Sequence, residues 1–288
     1  MRAGRISVRY ASYKTENGQP TWGIEEGGML RDLGPTGANV AGTLQDAIAL
    51  GLLDSAAEAD GGAQQDAATT EFLPVLDAPA KVICVGVNYR THQEETGRAD
   101  VVAPTIFSRF SDTLAAHGED VPIPAESTMY DYEGEMALVI GAPADHVAAA
   151  DAYSVVAGYA AFNDFSARDW QRHTGQWIPG KNFPKSGTFG PYYVPADAID
   201  EVTDLVVETR VNGEVRQRAS VADLIFDIPA IIEYVTTFTP LAPGDVIVTG
   251  TPGGVGLFME PPTFLAAGDV VEVEVTGLGV LRNTMVAA

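Results

Sequence analysis

Runs of apolar residues and short alternating segments follow one another along the chain in a pattern typical of a mainly β protein. Residues 81–87, 104–110, 136–140 and 155–162 are largely apolar at successive positions, which predicts strands covered on both faces. Between residues 6 and 33, shorter segments separated by Gly-containing turns predict three further strands. We therefore expect an α+β fold in which strands dominate.

Helical spacing of apolar residues is found in two segments. Residues 43–59 have apolar positions on one face, with Thr43 as the expected N-cap. Residues 221–238 carry an apolar stripe that predicts one or two packing helices, the second beginning near Pro229. Between these segments, the Asn-Gly pair at residues 212–213 separates two β-type stretches and predicts a hairpin.

Two prolines, Pro74 and Pro79, lie between the β-rich beginning of the chain and its long apolar strands. We interpret residues 73–80 as a linker. The chain then divides into a small N-terminal β-rich domain, residues 1–75, which carries no chemical motif, and a larger domain, residues 80–288, which carries the candidate chemistry.

The charge of the chain argues against two classes of partner. Its 288 residues include 17 Lys and Arg against 39 Asp and Glu, a formal net charge of −22. Nucleic acid and anionic membranes would be repelled by this charge. An anionic small-molecule substrate requires locally placed cations, so individual Lys and Arg residues become informative.

Location is constrained by the apolar runs and by cysteine usage. No run is long enough to cross a bilayer, and residues 1–10 lack the apolar core of a signal peptide, so we expect a cytoplasmic protein. The single cysteine, Cys84, cannot form an internal disulfide, which fits a reducing compartment. We interpret it as a small buried side chain and not as a nucleophile.

Two glutamates stand at the start of a strongly apolar predicted strand. Glu133 and Glu135 are two residues apart, so they share one face of the strand, about 6 to 7 Å apart along it. No Lys or Arg lies in this segment, and a divalent cation is an effective partner for a buried pair of like charges. Two solvated glutamates at a strand end are the alternative.

A third carboxylate, Asp164, follows the buried run 155–162. Three carboxylates without a histidine or thiolate favour a hard ion, Mg²⁺ or Mn²⁺, with Ca²⁺ as a further candidate and Zn²⁺ disfavoured. The sequence therefore predicts a metal site built from Glu133, Glu135 and Asp164.

Three further segments carry candidate chemistry, each with a plain structural alternative. If the segment after Tyr89 is helical, His92 and Glu95 lie on one face of that helix. They would then form either a general base with the carboxylate that orients it, or an incidental pair on an exposed helix. Lys181 is either a functional cation or a solvated loop lysine. The glycine-rich residues 249–256 match neither the dinucleotide fingerprint nor a P-loop, and suit close approach of a small anion or a tight turn.

Several segments together resemble the fumarylacetoacetate hydrolase family. They occur in the family's order over residues 81–288: Val-Gly-Val-Asn-Tyr at 85–89 with His92, Glu-Gly-Glu at 133–135, Asn-Asp-Phe-Ser-Ala-Arg-Asp at 163–169 with Gln171, Pro-Gly-Lys-Asn-Phe at 179–183, and Gly-Thr-Pro-Gly-Gly-Val-Gly at 250–256. One departure is Phe-Ser-Arg-Phe at 107–110, where many members have Phe-x-Lys-Pro. Arg109 keeps the charge there but offers a fork of donors.

The resemblance implies a mixed β-sandwich roll for the C-terminal domain, assembled as a homodimer. It implies that Glu133, Glu135 and Asp164 are the Mg²⁺ or Mn²⁺ ligands. It also implies that His92 and Glu95 form a water-activating dyad on a lid segment. The residues expected to meet the substrate are Lys181, Gln171, Thr251, Arg109 and Tyr89.

From these expectations we predict a metal-dependent hydrolase that cleaves a C–C bond through an enolate. Its substrate would be a small anionic 2-oxo acid with a 1,3-dicarbonyl group, namely an acylpyruvate or fumarylpyruvate of aromatic catabolism. The same site would suit decarboxylation of oxaloacetate, tautomerisation or isomerisation of a hydroxymuconate-type diacid, or hydration and dehydration of a 2-keto acid. A binding protein that retains the fold is a non-enzymatic alternative. A serine hydrolase is disfavoured because no Gly-x-Ser-x-Gly motif occurs.

Overall fold

The computed structural model describes residues 8–97 and 99–288. Ile6 and Ser7 of the first predicted strand lie outside the described residues. The strands are β1 (Arg9–Lys14), β2 (Pro20–Glu26), β3 (Met29–Asp32), β4 (Gln64–Asp66), β5 (Val82–Gly86), β6 (Thr105–Arg109), β7 (Leu114–Ala115), β8 (Asp120–Ile123), β9 (Tyr130–Asp131), β10 (Gly134–Ile140), β11 (Val156–Asp164), β12 (Ser166–Ala167), β13 (Gly187–Phe189), β14 (Val194–Pro195), β15 (Val206–Val211), β16 (Glu214–Ser220), β17 (Val246–Val248), β18 (Val270–Val275) and β19 (Gly279–Ala287).

The helices among the described residues are short. The α-helices are α1 (Leu44–Ala49), α2 (Leu53–Ala57), α3 (Arg90–Thr96), α4 (Arg168–Gln171), α5 (Ile178–Lys181) and α6 (Ile228–Phe238). Single turns of 3-10 helix occur at Ser111–Thr113, Ala196–Ala198, Val202–Asp204, Val221–Asp223 and Gly256–Phe258, with a longer one at Ala149–Val155. In the part of the chain that the structure describes, no helix is long and apolar enough to span a bilayer.

Strand β10 lies at the centre of an eight-stranded sheet with the order β6-β5-β17-β10-β11-β13-β7, in which β14 also pairs with β11. Its side chains alternate between two hydrophobic cores. Met136, Leu138 and Ile140 pack with α6 and the five-stranded sheet, whereas Ala137 and Val139 pack with the N-terminal sheet. Both faces of β10 are covered, which is why every position in it is apolar after the glutamates.

A five-stranded sheet with the order β16-β15-β18-β19-β8 covers one face of the large sheet. Its first two strands form the predicted hairpin, joined by Asn212 and Gly213 with φ of 52° and 81°. Beside it, α6 begins at Ile228 and has a proline in its first turn. Asp227 is its N-cap, and the Asp227 side chain accepts the Ala230 N–H at 2.9 Å. These predicted features are therefore confirmed.

The four-stranded antiparallel sheet β1-β2-β3-β4 packs on the other face. The predicted helical segment at residues 43–59 is two short helices, because Gly51 between them has a φ of 65°. Thr43 caps α1 as predicted, and its hydroxyl accepts the Asp46 N–H at 3.0 Å.

The N-terminal and large sheets share one core, in which Tyr10 and Trp22 cluster with Val82 and Val248. The domain division at residues 75–80 is therefore not marked by separate cores, and it stays a prediction. The pairs β5–β17, β7–β13 and β8–β19 are parallel among mostly antiparallel neighbours. The expected mainly β fold with mixed sheets is confirmed.

Candidate active site

The neighbouring ends of β10 and β11 bring the three predicted carboxylates together. The strands are antiparallel with Gly134 opposite Asn163, and the Asp164 N–H donates to the Glu133 carbonyl oxygen at 2.8 Å. Glu133, Glu135 and Asp164 are buried, and each offers one oxygen atom within 4.8 Å of the others. A register shifted by one residue would turn the glutamates to the other face of the sheet.

Gly134 separates the two glutamates where a larger residue does not fit. A Cβ at this position would lie 2.0 Å from Thr209 Oγ1 and 3.2 Å from side-chain atoms of Val273. The backbone of β10 thus approaches the five-stranded sheet closely, and alternation turns Glu133 and Glu135 to the opposite face. Packing alone accounts for the glycine of the Glu-Gly-Glu motif.

Lys181 lies between two of the three carboxylates. Its Nζ is 2.5 Å from Glu133 Oε2 and 2.6 Å from Asp164 Oδ2, and the residue is 1% exposed. The alternative of a solvated loop lysine is therefore wrong. The ammonium neutralises carboxylates that would otherwise be buried without a positive partner.

Two buried arginines add to this charge network. Arg168 binds Asp131, with Nε 2.8 Å from Oδ2, and also binds Glu133 through Nη1. Arg109 binds Asp164 through Nε. Around the site, the buried carboxylates are those of Asp131, Glu133, Glu135 and Asp164, and the buried cations are Arg109, Arg168 and Lys181. The carboxylates thus outnumber the cations by one.

This network acts on the two glutamates in opposite directions. Burial on its own raises the pKa of Glu133, but nearby cations, Arg168 foremost, outweigh it and lower the pKa to about 2. Burial and the negative charges of Asp164 and Glu133 raise the pKa of Glu135 well above its ordinary range, although the Gly250 N–H donates to its Oε2 at 2.5 Å. Of the two glutamates, Glu135 is the one whose charged form a bound cation would stabilise more.

The sequence pattern assigns no role to Arg168 or Asp131, yet both are built into the site. The Arg168 guanidinium joins Asp131 to Glu133, and Asp131 accepts the N–H groups of Gly256 and Leu257 at 2.8 and 3.0 Å. The sequence signal for Arg168 is that a charged residue stands inside a motif that is otherwise buried. Which residues Arg168 pairs with is fixed by the fold and not by the motif.

The predicted histidine–glutamate pair lies on α3. His92 Nδ1 is 2.5 Å from Glu95 Oε1, and Glu95 Oε2 accepts the Gly254 N–H at 2.8 Å. Next to it, the Gly253 N–H donates to Thr91 Oγ1 at 3.0 Å. The glycine-rich loop therefore holds α3 in place, and Glu95 engages one ring nitrogen so that Nε2 is left for a ligand.

A cavity of about 250 Å³ lies between α3 and the carboxylates. The predicted site residues that border it are His92, Glu133, Glu135, Gln171, Lys181 and Thr251. The other charged or aromatic residues at its wall are Phe107, Arg168, Arg172, Trp177 and Phe258. This volume falls near the lower end for small-molecule sites, roughly 300 Å³, and suits a substrate of few atoms.

Several polar groups at the cavity wall are already engaged. Thr251 Oγ1 lies 3.0 Å from the Gly134 carbonyl oxygen, to which it donates, and accepts from Gln217 Nε2 at 2.7 Å. Gln171 Oε1 accepts from Arg168 Nη1 at 3.2 Å. Arg168 Nη2 is buried and has no hydrogen-bond partner among the described residues, so it has donor capacity left for a ligand.

Two residues expected to meet the substrate lie elsewhere in the structure. Arg109 is 2% exposed, and its guanidinium donates to Asp164, Ser186 Oγ and the Phe165 carbonyl oxygen, so it positions a carboxylate and does not border the cavity. Tyr89 is fully buried in the core at the start of α3. Neither residue is among those that line the cavity, because residue type predicts the chemistry of a side chain but not its direction, and their contact with a substrate stays a prediction.

The donor set fits a hard divalent ion. Three buried carboxylates offer oxygen atoms close enough to share one cation. The negative charges of Asp164 and Glu133 help to raise the pKa of Glu135, and a bound cation would neutralise part of that charge. Oxygen ligands of this kind suit Mg²⁺, Mn²⁺ or Ca²⁺. The residues that would hold the ion are Glu133, Glu135 and Asp164.

Comparison with known proteins identifies relatives of the chain. The family model described as fumarylacetoacetate (FAA) hydrolase C-terminal matches residues 81–286, which confirms the resemblance seen in the motifs. The chain is 42% identical over 216 residues to the mitochondrial oxaloacetate tautomerase Fahd2a of Rattus norvegicus, covering 75% of this chain and 69% of that protein. It is 41% identical over 213 residues to the oxaloacetate tautomerase YisK of Bacillus subtilis, covering 73% and 71%.

The likeness extends to the whole fold. A solved fumarylacetoacetate hydrolase from the psychrophile Exiguobacterium antarcticum superimposes with a TM-score of 0.85 at 33% identity. The alignment covers 98% of this chain and 100% of that one. The similarity therefore includes the N-terminal sheet, which lies before the residues that the family model matches.

Proposed function

The chain belongs to the fumarylacetoacetate hydrolase family, and from this premise we propose that it is a metal-dependent tautomerase that interconverts the keto and enol forms of a small 2-oxo diacid of the oxaloacetate type. Membership makes it part of an enzyme family with hydrolase, isomerase and tautomerase members. The printed names of the rat and Bacillus subtilis relatives support the tautomerase reaction. A reaction of this kind is among the alternatives that the sequence leaves open.

One observation carries the proposal. The two glutamates that we propose as metal ligands, the His92–Glu95 pair and the ammonium of Lys181 meet at one small cavity. An enolisable 2-oxo acid needs a centre that acidifies its C–H bond, a base that moves the proton, and positive charge that accepts its carboxylate. The residues that we assign to these three roles all border this cavity, which supports the proposal.

Glu133, Glu135 and Asp164 would hold Mg²⁺ or Mn²⁺. Once bound, the ion polarises the carbonyl group of a 2-oxo acid and makes the neighbouring C–H bond more acidic. Lys181, Arg168 and Arg109 offset three of the four buried carboxylates, so a bound divalent ion would leave the site with a net positive charge for an anionic substrate.

His92 is the group that we assign to proton transfer. Glu95 engages Nδ1, so Nε2 takes a proton from C3 of the keto form and then delivers that same proton to O2, which gives the enol form and returns His92 to its neutral state. The reverse order regenerates the ketone, and no water is consumed. The ring of Phe258 lies edge-on to His92 with centroids 6.2 Å apart, which shields this base from solvent.

The test follows the absorbance of the enol form when oxaloacetate is mixed with the Mg²⁺-loaded protein, compared with Mg²⁺ in buffer. We expect faster equilibration with the protein, and a loss of about 100-fold or more in the His92→Gln variant, as is usual for removal of a general base. Mg²⁺ binding by calorimetry should be unchanged in this variant, since His92 is not among the proposed metal ligands.

The matched control is His146→Gln. His146 is also paired with a carboxylate, with Nδ1 2.8 Å from Asp145 Oδ1, but its side chain is 71% exposed and it is not among the residues that line the cavity. This variant should keep the wild-type rate. A wild-type protein that equilibrates oxaloacetate no faster than Mg²⁺ alone would refute the proposal, and full activity in His92→Gln would refute the role of the base.

Hydrolytic C–C cleavage of an acylpyruvate or fumarylpyruvate is the second candidate function. It is favoured by the same His92–Glu95 pair, which would take a proton from water instead of from the substrate. The products separate the reactions. Acetylpyruvate hydrolysis gives acetate and pyruvate, oxaloacetate decarboxylation gives CO₂ and pyruvate, and tautomerisation breaks no C–C bond. A hydroxymuconate-type diacid and a hydratable 2-keto acid complete the panel.

We also propose a homodimer in the cytoplasm. The relatives named above include a mitochondrial protein and a bacterial one, so location differs among them. Sedimentation equilibrium of the purified protein tests the dimer, and fractionation of the source cells tests the location.

A further inference from the structure

Positive charge is scarce in this chain, and nearly all of it is paired. Among the residues that the structure describes, every lysine and arginine forms a salt bridge except Arg90 and Arg172. Neither of these two side chains makes a hydrogen bond within that part of the chain. In a chain with 39 acidic residues, an arginine without an acidic partner is unusual.

The two unpaired arginines differ in position. Arg172 directly follows α4, is exposed, and borders the active-site cavity. Arg90 is the first residue of α3, is also exposed, and is not among the residues that line the cavity. One free guanidinium therefore stands at the solvent side of the cavity, and the other provides a comparison of the same residue type.

The remaining cations at the cavity wall have little charge left for a second substrate carboxylate. Lys181 lies between Glu133 and Asp164, and Arg168 lies between Asp131 and Glu133. Arg168 Nη2 has no partner among the described residues, but Arg168 binds Glu133, so this donor belongs to the end of the cavity where the metal ligands lie. The positive charges of Lys181 and Arg168 offset those of the buried carboxylates. A carboxylate group at the end of the substrate away from the metal ligands would therefore find its positive partner in Arg172.

We propose that Arg172 is a specificity-determining residue, which binds the distal carboxylate of a 2-oxo diacid and so selects dianionic over monoanionic substrates. This inference rests on the proposed function for the placement of the substrate, with its 2-oxo acid end at the metal ligands. A planar guanidinium with parallel N–H donors matches a carboxylate in two hydrogen bonds, and an exposed arginine is free to adopt that geometry.

The test measures binding without turnover. Malate and 2-hydroxybutyrate both carry a 2-hydroxy acid end, and they differ in whether the distal group is a carboxylate or a methyl group. Neither can enolise as a 2-oxo acid does. Calorimetric titration of both ligands into the Mg²⁺-loaded wild type, Arg172→Gln, Arg172→Lys and Arg90→Gln proteins gives the preference for the distal carboxylate in each.

We expect the wild type to bind malate at least tenfold more tightly than 2-hydroxybutyrate, as for a hydrogen-bonded charged group. Arg172→Gln should lose about tenfold in malate affinity and keep its affinity for 2-hydroxybutyrate. Arg172→Lys should keep part of the preference, since it retains the charge but not the fork. Arg90→Gln should behave as the wild type.

The inference is overturned if Arg172→Gln keeps the wild-type preference, if both ligands weaken equally in it, or if the wild type shows no preference for malate. Failure of the proposed function is a separate result. In that case the wild type would not accelerate equilibration of oxaloacetate. The ratio of the malate and 2-hydroxybutyrate binding constants would still show whether Arg172 selects ligands with a distal carboxylate.

Discussion

Replacing Lys181 with Met removes the ammonium that lies between the carboxylates of Glu133 and Asp164. The lysine is 1% exposed, and its Nζ is 2.5 and 2.6 Å from the nearest oxygen atoms of the two residues. Methionine has a similar length and flexibility, so the variant changes charge more than volume. We expect it to be strongly destabilised in the presence of a chelator.

The expected loss of stability depends on the cations that remain next to each carboxylate. Glu133 retains Arg168, and Asp164 retains Arg109, so neither is left without a cation. Breaking a buried ion pair by removing one partner costs about 3 to 5 kcal/mol, and the retained arginines put this variant at the lower end. For a chain of this length, with roughly 2 °C per kcal/mol, a loss of about 3 kcal/mol lowers Tm by about 6 °C.

The assay is thermal and urea unfolding of the chelator-treated wild type and Lys181→Met, each repeated with Mg²⁺. A cation held by the three carboxylates restores positive charge to the variant, and a ligand at about 100 times its Kd contributes about 2.7 kcal/mol. Because Lys181 repels a bound cation in the wild type, the variant should gain more from Mg²⁺. Lys185→Met is the matched control, since that lysine pairs with Glu119 on the surface.

Two results would refute this reasoning. If Lys181→Met without metal is as stable as the wild type, the ammonium does not neutralise the buried carboxylates. If Mg²⁺ stabilises neither protein, even at millimolar concentration, the three carboxylates do not form a metal site. Lys185→Met should lose no more than about 1 kcal/mol, and a larger loss would show that Lys-to-Met changes destabilise this protein generally.

Two further predictions concern other buried groups. In urea unfolding, Arg168→Met should lower the free energy of unfolding by about 3 kcal/mol, because Glu133 loses a buried partner. Arg218 is exposed, so the control Arg218→Met should lower it by less than about 1 kcal/mol. Equal losses in the two variants would contradict this prediction. Burial and Arg282 lower the pKa of His117, so the unfolded chain binds this proton more readily and stability falls as the pH drops through about 6.5. His117→Asn should flatten the Tm profile there, and an unchanged slope would rule the histidine out.

The features that could be predicted from sequence depend on neighbours along the chain. The uninterrupted apolar run of β10 identifies a strand covered on both faces, and the Asn212-Gly213 pair identifies a hairpin. The spacing of His92 and Glu95 predicts that they meet if the segment is helical, and their side chains do meet. In each case the physical cause acts over one turn of helix or a few residues of strand.

The features that could not be predicted depend on residues far apart in the chain. Arg109 meets Asp164 across 55 positions and Arg168 meets Glu133 across 35. Which cation pairs with which carboxylate follows from the register of β10 and β11 and from the way the sheet brings β6 near them. A sequence pattern shows how many charges are present but not how they pair, so Arg109 was expected at the substrate and Arg168 had no assigned role.

By itself, the sequence determined the strand-rich fold, the family motifs and the chemical type of the metal donors, because backbone hydrogen bonding and side-chain alternation are local. The tertiary structure decided which of the scarce cations are neutralised by buried carboxylates and which guanidinium, that of Arg172, stands unpaired at the cavity. That difference is set by distances across packed sheets, and electrostatic energy depends on those distances and on burial.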